Sequence, residues 1–530
     1  MIVGDQRDVI GFLSRPETYG LSAGTAAVET IETHISVVFL AGDRVFKLKR
    51  AVQYPYLDFS TPARRHAACE AELVLNRRTA RDLYLCVRKV ARVADGTLAL
   101  DGPGPAMDWV VEMRRFDQDA LFDRMAARGA LTPALMRDLA DVVAAFHGRA
   151  ESSVAQGGAR GVADLIGAND DAFLSLDAPP IADEATLTAL RDGCYLRLGQ
   201  VAALLDRRRA EGRVRRCHGD LHLRNICLHD GRPVPFDCIE FSDAIATTDT
   251  AYDLAFLLMD LCHRGLRDLA SVVLNRYLDV TGDETCLAAM PLFMAIRAAI
   301  RAHVTAAAAA AERDATAARR RAEARSYVDL ALGFLKAPAA APCLVAIGGL
   351  SGTGKSTLAA ALAPRLGGPA PGARVLRSDV IRKRLWGVAP ETRLPPAAYD
   401  PAMTRKVYAA QRALAAAALT AGYAAVADAV FARPDERTAI EDAARAAGAP
   451  FQGIWLAAAS RDALAARLDA RAGDASDATA ETAALQAGYD LGRIAWPAID
   501  AGGSAGATLR AALPLLGLDD GADEAGAAAA

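Results

Sequence analysis

His218-Gly219-Asp220 is followed by Asn225, five positions after the aspartate, and by Asp237 at the end of a short apolar run. These types at these intervals suit phosphoryl transfer to a hydroxyl. The first carboxylate orients the acceptor and takes its proton, while the amide and the second carboxylate hold Mg²⁺ on ATP. A carboxylate is base enough, because the transition state is loose and positioning with charge neutralisation carries most of the rate. Residues 226–228 and 234–236 flank Asp230-Gly231, a hairpin signature. A hairpin returns Asn225 and Asp237 to the same end of the site and leaves Asp220 facing the acceptor.

A second phosphate-handling pattern lies downstream. Gly349-Leu350-Ser351-Gly352-Thr353-Gly354-Lys355-Ser356 follows an apolar strand at 344–347 and precedes a helix at 357–363. Gly349, Gly352 and Gly354 let backbone N–H groups wrap phosphates, and the helix N-terminus around Ser356 and Thr357 adds partial positive charge. Lys355 reaches the β- and γ-phosphates and Ser356 offers its hydroxyl to Mg²⁺. A strand at 375–379 ends in Asp379, with Arg382 and Lys383 one turn on, and a third at 424–428 ends in Asp428. Ser378-Asp379 also suits a helix N-cap. Arg467 and Arg471, four apart on a predicted helix before the polar residues 473–477, suit a lid over the transferring phosphate or a solvated helix face.

The first site needs a scaffold. Strands at 35–40 and 44–48 are joined by Ala41-Gly42-Asp43, and the second ends in Phe46-Lys47-Leu48-Lys49. Either lysine could reach the α- and β-phosphates, with Lys47 preferred. The helix at 63–81 carries Glu70 and Glu72, and Glu72, next to Leu73, is the expected ion-pair partner. Further strands fall at 84–90 and 109–114, and Glu112 in the latter marks the expected adenine-contacting hinge. From Thr132 the period turns helical and continues to Phe334. Residues 336–342 read as a linker, giving domains at 1–335 and 343–518 and a tail at 519–530.

The 530 residues are too many for one core. A net charge of -3 argues against a nucleic-acid partner, and nine cysteines without a C-x-x-C pair suggest neither zinc nor a disulfide framework. No signal peptide is expected. The apolar stretch near 295–311 is interrupted by Arg297, Arg301 and His303, so no membrane span is expected and a cytoplasmic location is.

His218–Asn225 with Asp237 resembles the motifs of the aminoglycoside phosphotransferase family, a branch of the protein-kinase-like fold, over about residues 30–330. The resemblance implies a two-lobed kinase-like fold, ATP and Mg²⁺, and a small-molecule hydroxyl acceptor. It implies Asp220 as catalytic base and Asn225 and Asp237 as metal ligands. The chain lacks a G-x-G-x-x-G loop, so residues 33–42 must cover the phosphates another way. It also lacks a long activation segment, which disfavours a protein substrate. Residues 343–518 resemble small P-loop kinases of the gluconate kinase, chloramphenicol phosphotransferase and zeta-toxin type. That implies a parallel-sheet P-loop fold, with Asp379 activating an acceptor hydroxyl and Asp428 near the metal or its water. The whole resembles fusions of an aminoglycoside phosphotransferase with an ATP-binding domain.

The expectation is therefore a chain of α/β and α+β class bearing two ATP-dependent phosphotransferase modules. Alternatives are a regulatory nucleotide sensor in one module, a plain NTPase in the P-loop half, or a protein substrate for the N-terminal half. Asp164, Asp170, Asp171, Glu240 and Asp243 would favour a cationic acceptor. The oligomeric state is left open.

Overall fold

Period-two alternation in the first hundred residues builds an antiparallel sheet in the computed structural model, which describes residues 2–22, 27–54, 57–176, 180–310, 315–338, 340–457, 475–486 and 488–519. Its strands are β1 (Glu29–Glu32), β2 (Ser36–Ala41), β3 (Arg44–Lys49), β4 (Tyr84–Arg92), β5 (Leu98–Leu100) and β6 (Ala106–Arg114), in the order β1-β2-β3-β6-β4-β5. Phe46 and Leu48 of β3 pack on one face with Phe39 and Val110. Val45 faces the other way, toward Cys69 and Leu73 of helix α1 (Pro62–Asn76). Side chains two apart on a strand share a face, so Lys47 and Lys49 follow Val45 toward α1. Thr61 caps that helix by accepting from Arg64 N–H, and Pro62 opens it. The helix stops at Asn76, short of the predicted 81. Strands β7 (Ile226–His229) and β8 (Arg232–Pro235) form the expected hairpin; Asp230 and Gly231 take φ of 50° and 73° at its turn.

Two compact units divide the chain: residues 1–161 with 205–257, and residues 162–204 with 258–530. The sheet, α1 and the hairpin belong to the first. Helix α2 (Thr250–His263) crosses the boundary. The second contains α3 (Arg267–Thr281), α4 (Met290–Ala310) and α5 (Ala315–Leu335), followed by a five-stranded parallel sheet. Its strands, β9 (Leu344–Gly348), β10 (Arg374–Arg377), β11 (Ala425–Asp428), β12 (Phe451–Ala457) and β13 (Ala498–Asp500), take the order β10-β11-β9-β12-β13. Near-continuous apolar runs such as Leu344-Val345-Ala346-Ile347, all fully buried, are what a sheet covered on both faces requires.

The segment Glu284–Ala310 is long and apolar enough to cross a membrane, so its interrupting residues do not break the apolar run as expected. Yet 78% of its apolar window is buried inside the protein and Arg297 is buried with it, which makes it a core helix.

Within the second unit, the open edge of the parallel sheet is closed by a side chain. Asn275 of α3 donates from Nδ2 to Ala373 O (3.1 Å) and accepts from Val375 N–H (2.8 Å), replacing a neighbouring strand along β10. Beside it the buried Arg374 guanidinium lies 2.8 Å from Asp279 Oδ1 and grips both oxygens of Glu284 at 3.0 and 2.9 Å. Burial pushes the Asp279 carboxyl up, while Glu284, although buried, is held low by Arg374. Truncating Arg374 strands the buried Asp279 carboxylate and leaves Glu284 with Arg384 at 3.4 Å. Arg374→Ala is expected to cost about 3–5 kcal/mol, the range for breaking a buried pair, read as a lower denaturant midpoint of the full chain. Cutting the chain at 336–342 should expose the same charges.

Candidate active sites

In the first unit, helix phase decides which glutamate meets β3. Glu70 is half exposed and pairs with His66 across one turn at 3.5 Å, whereas Glu72 is fully buried beneath the sheet. Lys47 Nζ lies 2.8 Å from Glu72 Oε1 and 2.5 Å from Asp237 Oδ1. Lys49, fully buried, lies 2.5 Å from Glu72 Oε2 and pairs with Glu240 Oε1. Burial alone would raise the Glu72 carboxyl; the two ammonium groups overcome it and hold its pKa near 2.

The loop from His218 to Asp237 is held by its own backbone and by distant anchors. Asn225 Nδ2 donates to Asp220 Oδ2 (2.8 Å) and Asp220 O (2.9 Å), and Phe236 N–H donates to Asn225 O (2.9 Å). The candidate base and the two candidate metal ligands are thus linked through Asn225 and the hairpin. His222 Nε2 stands 3.4 Å from Asp220 Oδ2, with its ring edge-on to Phe256. His218 is buried; its Nε2 donates to Phe236 O (2.9 Å), and burial lowers its pKa, so it is neutral near pH 7 and organises the loop. Asp237 takes φ 60°, a left-handed backbone uncommon outside glycine and concentrated at functional sites. Its N–H donates to Tyr84 Oη (3.2 Å), and the next N–H, of Cys238, donates to Asn76 Oδ1 (2.9 Å).

Asp253, which as an acid in the first turn of α2 suggests a cap, does something else. Its carboxylate accepts from His218 N–H (3.1 Å) and Gly219 N–H (2.8 Å) and meets His147 Nε2 at 3.1 Å, fixing the start of the Asp220 loop. The signal was one acid inside the apolar run Ala251-Tyr252-Asp253-Leu254-Ala255-Phe256, since a buried carboxylate needs partners.

Glu112 requires a correction. It lies inside β6, opposite Phe46 on one side and Cys86 on the other, so its peptide groups serve the sheet and cannot act as an open hinge. Its carboxylate meets Arg88 at 2.8 Å and Arg44 at 3.8 Å. Of the acids set aside for a cationic acceptor, Glu240 is consumed by Lys49, Asp170 lies 3.6 Å from Arg191, and Asp243 lies 2.9 Å from Arg216.

In the second unit the loop 349–354 joins β9 to helix α6, here Lys355–Leu362 by chain position after α5, so the helix begins at Lys355 and not at 357. Gly349 takes φ 142°, and a Cβ there would come within 2.7 Å of Leu456 O and 2.9 Å of Thr353 Oγ1, which only glycine avoids. Gly352 and Gly354 take φ of 86° and 91°. Lys355 Nζ donates to Leu350 O (2.9 Å), arching over the loop, and Thr357 lies exposed in the first turn. Ser356 Oγ donates to Asp428 Oδ2 (2.6 Å), which also lies 3.7 Å from Arg377 Nε. Parallel register sets this pairing, because Ile347, Asp428 and Arg377 are level at the C-terminal ends of three adjacent strands.

Asp379 is not the last residue of a strand. Strand β10 ends at Arg377 and Asp379 is the second residue of the helix Ser378–Leu385, whose N-cap is Arg377. The cap alternative fails as well, for no side chain caps that helix. Burial raises the Asp379 pKa; Arg377 opposes this, the Asp428 charge adds to it, and a Ser476 hydrogen bond lowers it. Arg382 donates to Ala398 O (2.7 Å), and Lys383 binds Thr392 O and, at 2.5 Å, Asp477 Oδ2. Those two cations anchor the fold. Arg467 and Arg471 lie outside the described residues. Gln486 carried no sequence signal, yet its buried Oε1 accepts from Ser351 N–H in the phosphate loop at 2.8 Å.

Residues 45–290 match the phosphotransferase enzyme family and residues 344–490 match an AAA domain. Uncharacterized proteins of Mycobacterium tuberculosis (strain ATCC 25618 / H37Rv) and Mycobacterium bovis are each 31% identical over 477 residues, 88% of this chain and 91% of theirs. Among solved structures, a choline/ethanolamine kinase family protein from Mesorhizobium loti is similar at 15% identity and a TM-score of 0.36, covering 59% of this chain and 94% of that one. A gluconokinase from Sinorhizobium meliloti 1021 is similar at 21% identity and a TM-score of 0.24, covering 33% of this chain and 93% of that one.

Proposed function

Because the chain belongs to the family of two-module proteins in which a phosphotransferase domain precedes a P-loop domain, we propose that each module transfers the γ-phosphate of ATP to a hydroxyl of a small molecule. The observation that carries this is the linkage of Asp220 through Asn225 to the hairpin end bearing Asp237, with Lys47 2.5 Å from the Asp237 carboxylate. A base, an oxygen donor set and a phosphate-reaching cation thereby converge.

In the N-terminal module, Lys47 binds the phosphates and Glu72 orients Lys47. Asp220 holds the acceptor hydroxyl and takes its proton, with its carboxylate oriented by Asn225. In the C-terminal module, the N–H groups of the loop 349–354 and the start of the following helix bind the phosphates, Lys355 binds them with its ammonium, and Asp379 takes the acceptor proton. The donors are all oxygen, which suits a hard cation. Asn225 and Asp237, and separately Ser356 and Asp428, would hold Mg²⁺, which when bound neutralises phosphate charge. In the N-terminal module a helix begins at Asp243, so the stretch after Asp237 is shorter than the activation segment of a protein kinase, which supports a small acceptor over a protein there. A cytoplasmic setting, where ATP is abundant, fits the reading.

The test is ATP turnover by the full chain against sugars, aminoalcohols and aminoglycosides, with Asp220→Ala and Lys355→Ala made separately. Each variant should abolish a different subset of products. ATP binding without transfer to any acceptor by one module would assign that module to nucleotide sensing.

A further inference from the structure

Asp237, Lys47, Glu72, Lys49 and Glu240 form an unbroken chain of alternating charge. Lys47 Nζ bridges Asp237 and Glu72, and Lys49 Nζ bridges Glu72 and Glu240. Asp237 and Glu240 are three residues apart on one loop, so backbone and charges close a ring. Access to its members differs sharply. The Asp237 side chain is 40% exposed and that of Lys47 13%, whereas Glu72 and Lys49 are at 0% and Glu240 at 5%. Lys47 and Asp237 can meet a ligand; Lys49 cannot. Burying an ammonium group is costly unless it is paired, and Lys49 is fully buried with both Glu72 and Glu240 against it.

On the phosphotransferase reading, on which this inference rests, nucleotide binding draws Lys47 toward phosphate and Asp237 toward the metal. Glu72 then loses part of its compensation at a position water does not reach. With one lysine, the stranded carboxylate would pull Lys47 back. We infer that Lys49 and Glu240 are positioning residues, a second lysine–glutamate pair inaccessible to nucleotide, which keeps Glu72 compensated while Lys47 turns to the phosphates and ties the Asp237 loop to the strand that carries Lys47. Lys49 engages Glu72 Oε2 at 2.5 Å, the oxygen opposite the one that faces Lys47, so the two lysines do not compete for one acceptor atom. Lys49 also stands 5.4 Å over the Phe59 ring, which fixes its position from a third side.

The experiment uses the full chain in a Lys355→Ala background, which weakens the second nucleotide site. Lys49→Met, Glu240→Gln and the double variant K49M/E240Q are titrated with MgATP, and with Mg²⁺ at fixed ATP, by calorimetry, and unfolded thermally without ligand. Lys49→Met and the double variant should raise the MgATP Kd at least ten-fold, and Glu240→Gln should raise the Mg²⁺ concentration for half-saturation. If Lys49→Met alone does not fold, the double variant decides, because it leaves no unpaired charge at position 240. A double variant that folds and binds MgATP and Mg²⁺ like its parent overturns the inference and leaves the pair a purely structural one. A parent that binds no MgATP removes the phosphotransferase reading of this module, and the inference with it.

Discussion

Asp220→Ala is expected to lower phosphoryl transfer by the N-terminal module roughly 10²–10⁴-fold, the range for removing a positioned general base, while MgATP binding stays near that of the unsubstituted chain. The two effects separate because Asp220 is bound to Asn225 and approached by His222, whereas Lys47 contacts Glu72 and Asp237. Asp237→Ala should do the opposite. It removes the carboxylate facing Lys47 and should abolish Mg²⁺-dependent nucleotide binding. Single-turnover transfer and equilibrium binding, measured in the Lys355→Ala background, distinguish these outcomes. If both variants bind MgATP normally, Asp237 is not a metal ligand.

The second large effect concerns the C-terminal module. Asp379→Asn should abolish transfer to an acceptor while sparing slow hydrolysis by water, because a hydrolase needs no carboxylate to hold an acceptor at that position. Lys355→Ala should weaken both, since Lys355 arches over the phosphate loop itself. ADP release and phosphorylated product are measured in one reaction. Full product formation by the Asp379 variant would falsify its role as base, and equal loss of hydrolysis and transfer would assign it to structure or metal. The pH dependence has a defined sign. The base must be ionised, and burial raises the Asp379 pKa. The acid limb of transfer should therefore lie above the ordinary aspartate value of about 3.9, and activity should fall as pH drops through it.

The sequence by itself determined what depends on neighbouring residues. A phosphate loop is a run of consecutive N–H groups, so Gly349 to Ser356 carried their meaning in eight residues. Asp220 and Asn225 sit within one loop, and Asp230-Gly231 closes the hairpin that returns the chain to Asp237. The strands flanking both sites were legible for the same local reason, because period two and buried apolar runs are properties of short segments.

Only the tertiary structure decided what depends on facing. Glu70 and Glu72 differ by 200° around a helix, and it is the packing of Cys69 and Leu73 on the sheet that turns Glu72 toward the lysines. Lys47 and Lys49 share a strand face, so alternation could not rank them; the loop from Asp237 to Glu240, some 190 residues away, gives one an exposed partner and the other a buried one. Glu112 was misplaced because a strand's central position in a sheet is invisible until both neighbours are known. Asp253 reads from its segment as a helix cap, and Gln486 and the Asn275–Arg374 edge carry no local signal, because a buried polar side chain is defined by partners far off in the chain, and the energy of meeting them belongs to the fold and not to the segment.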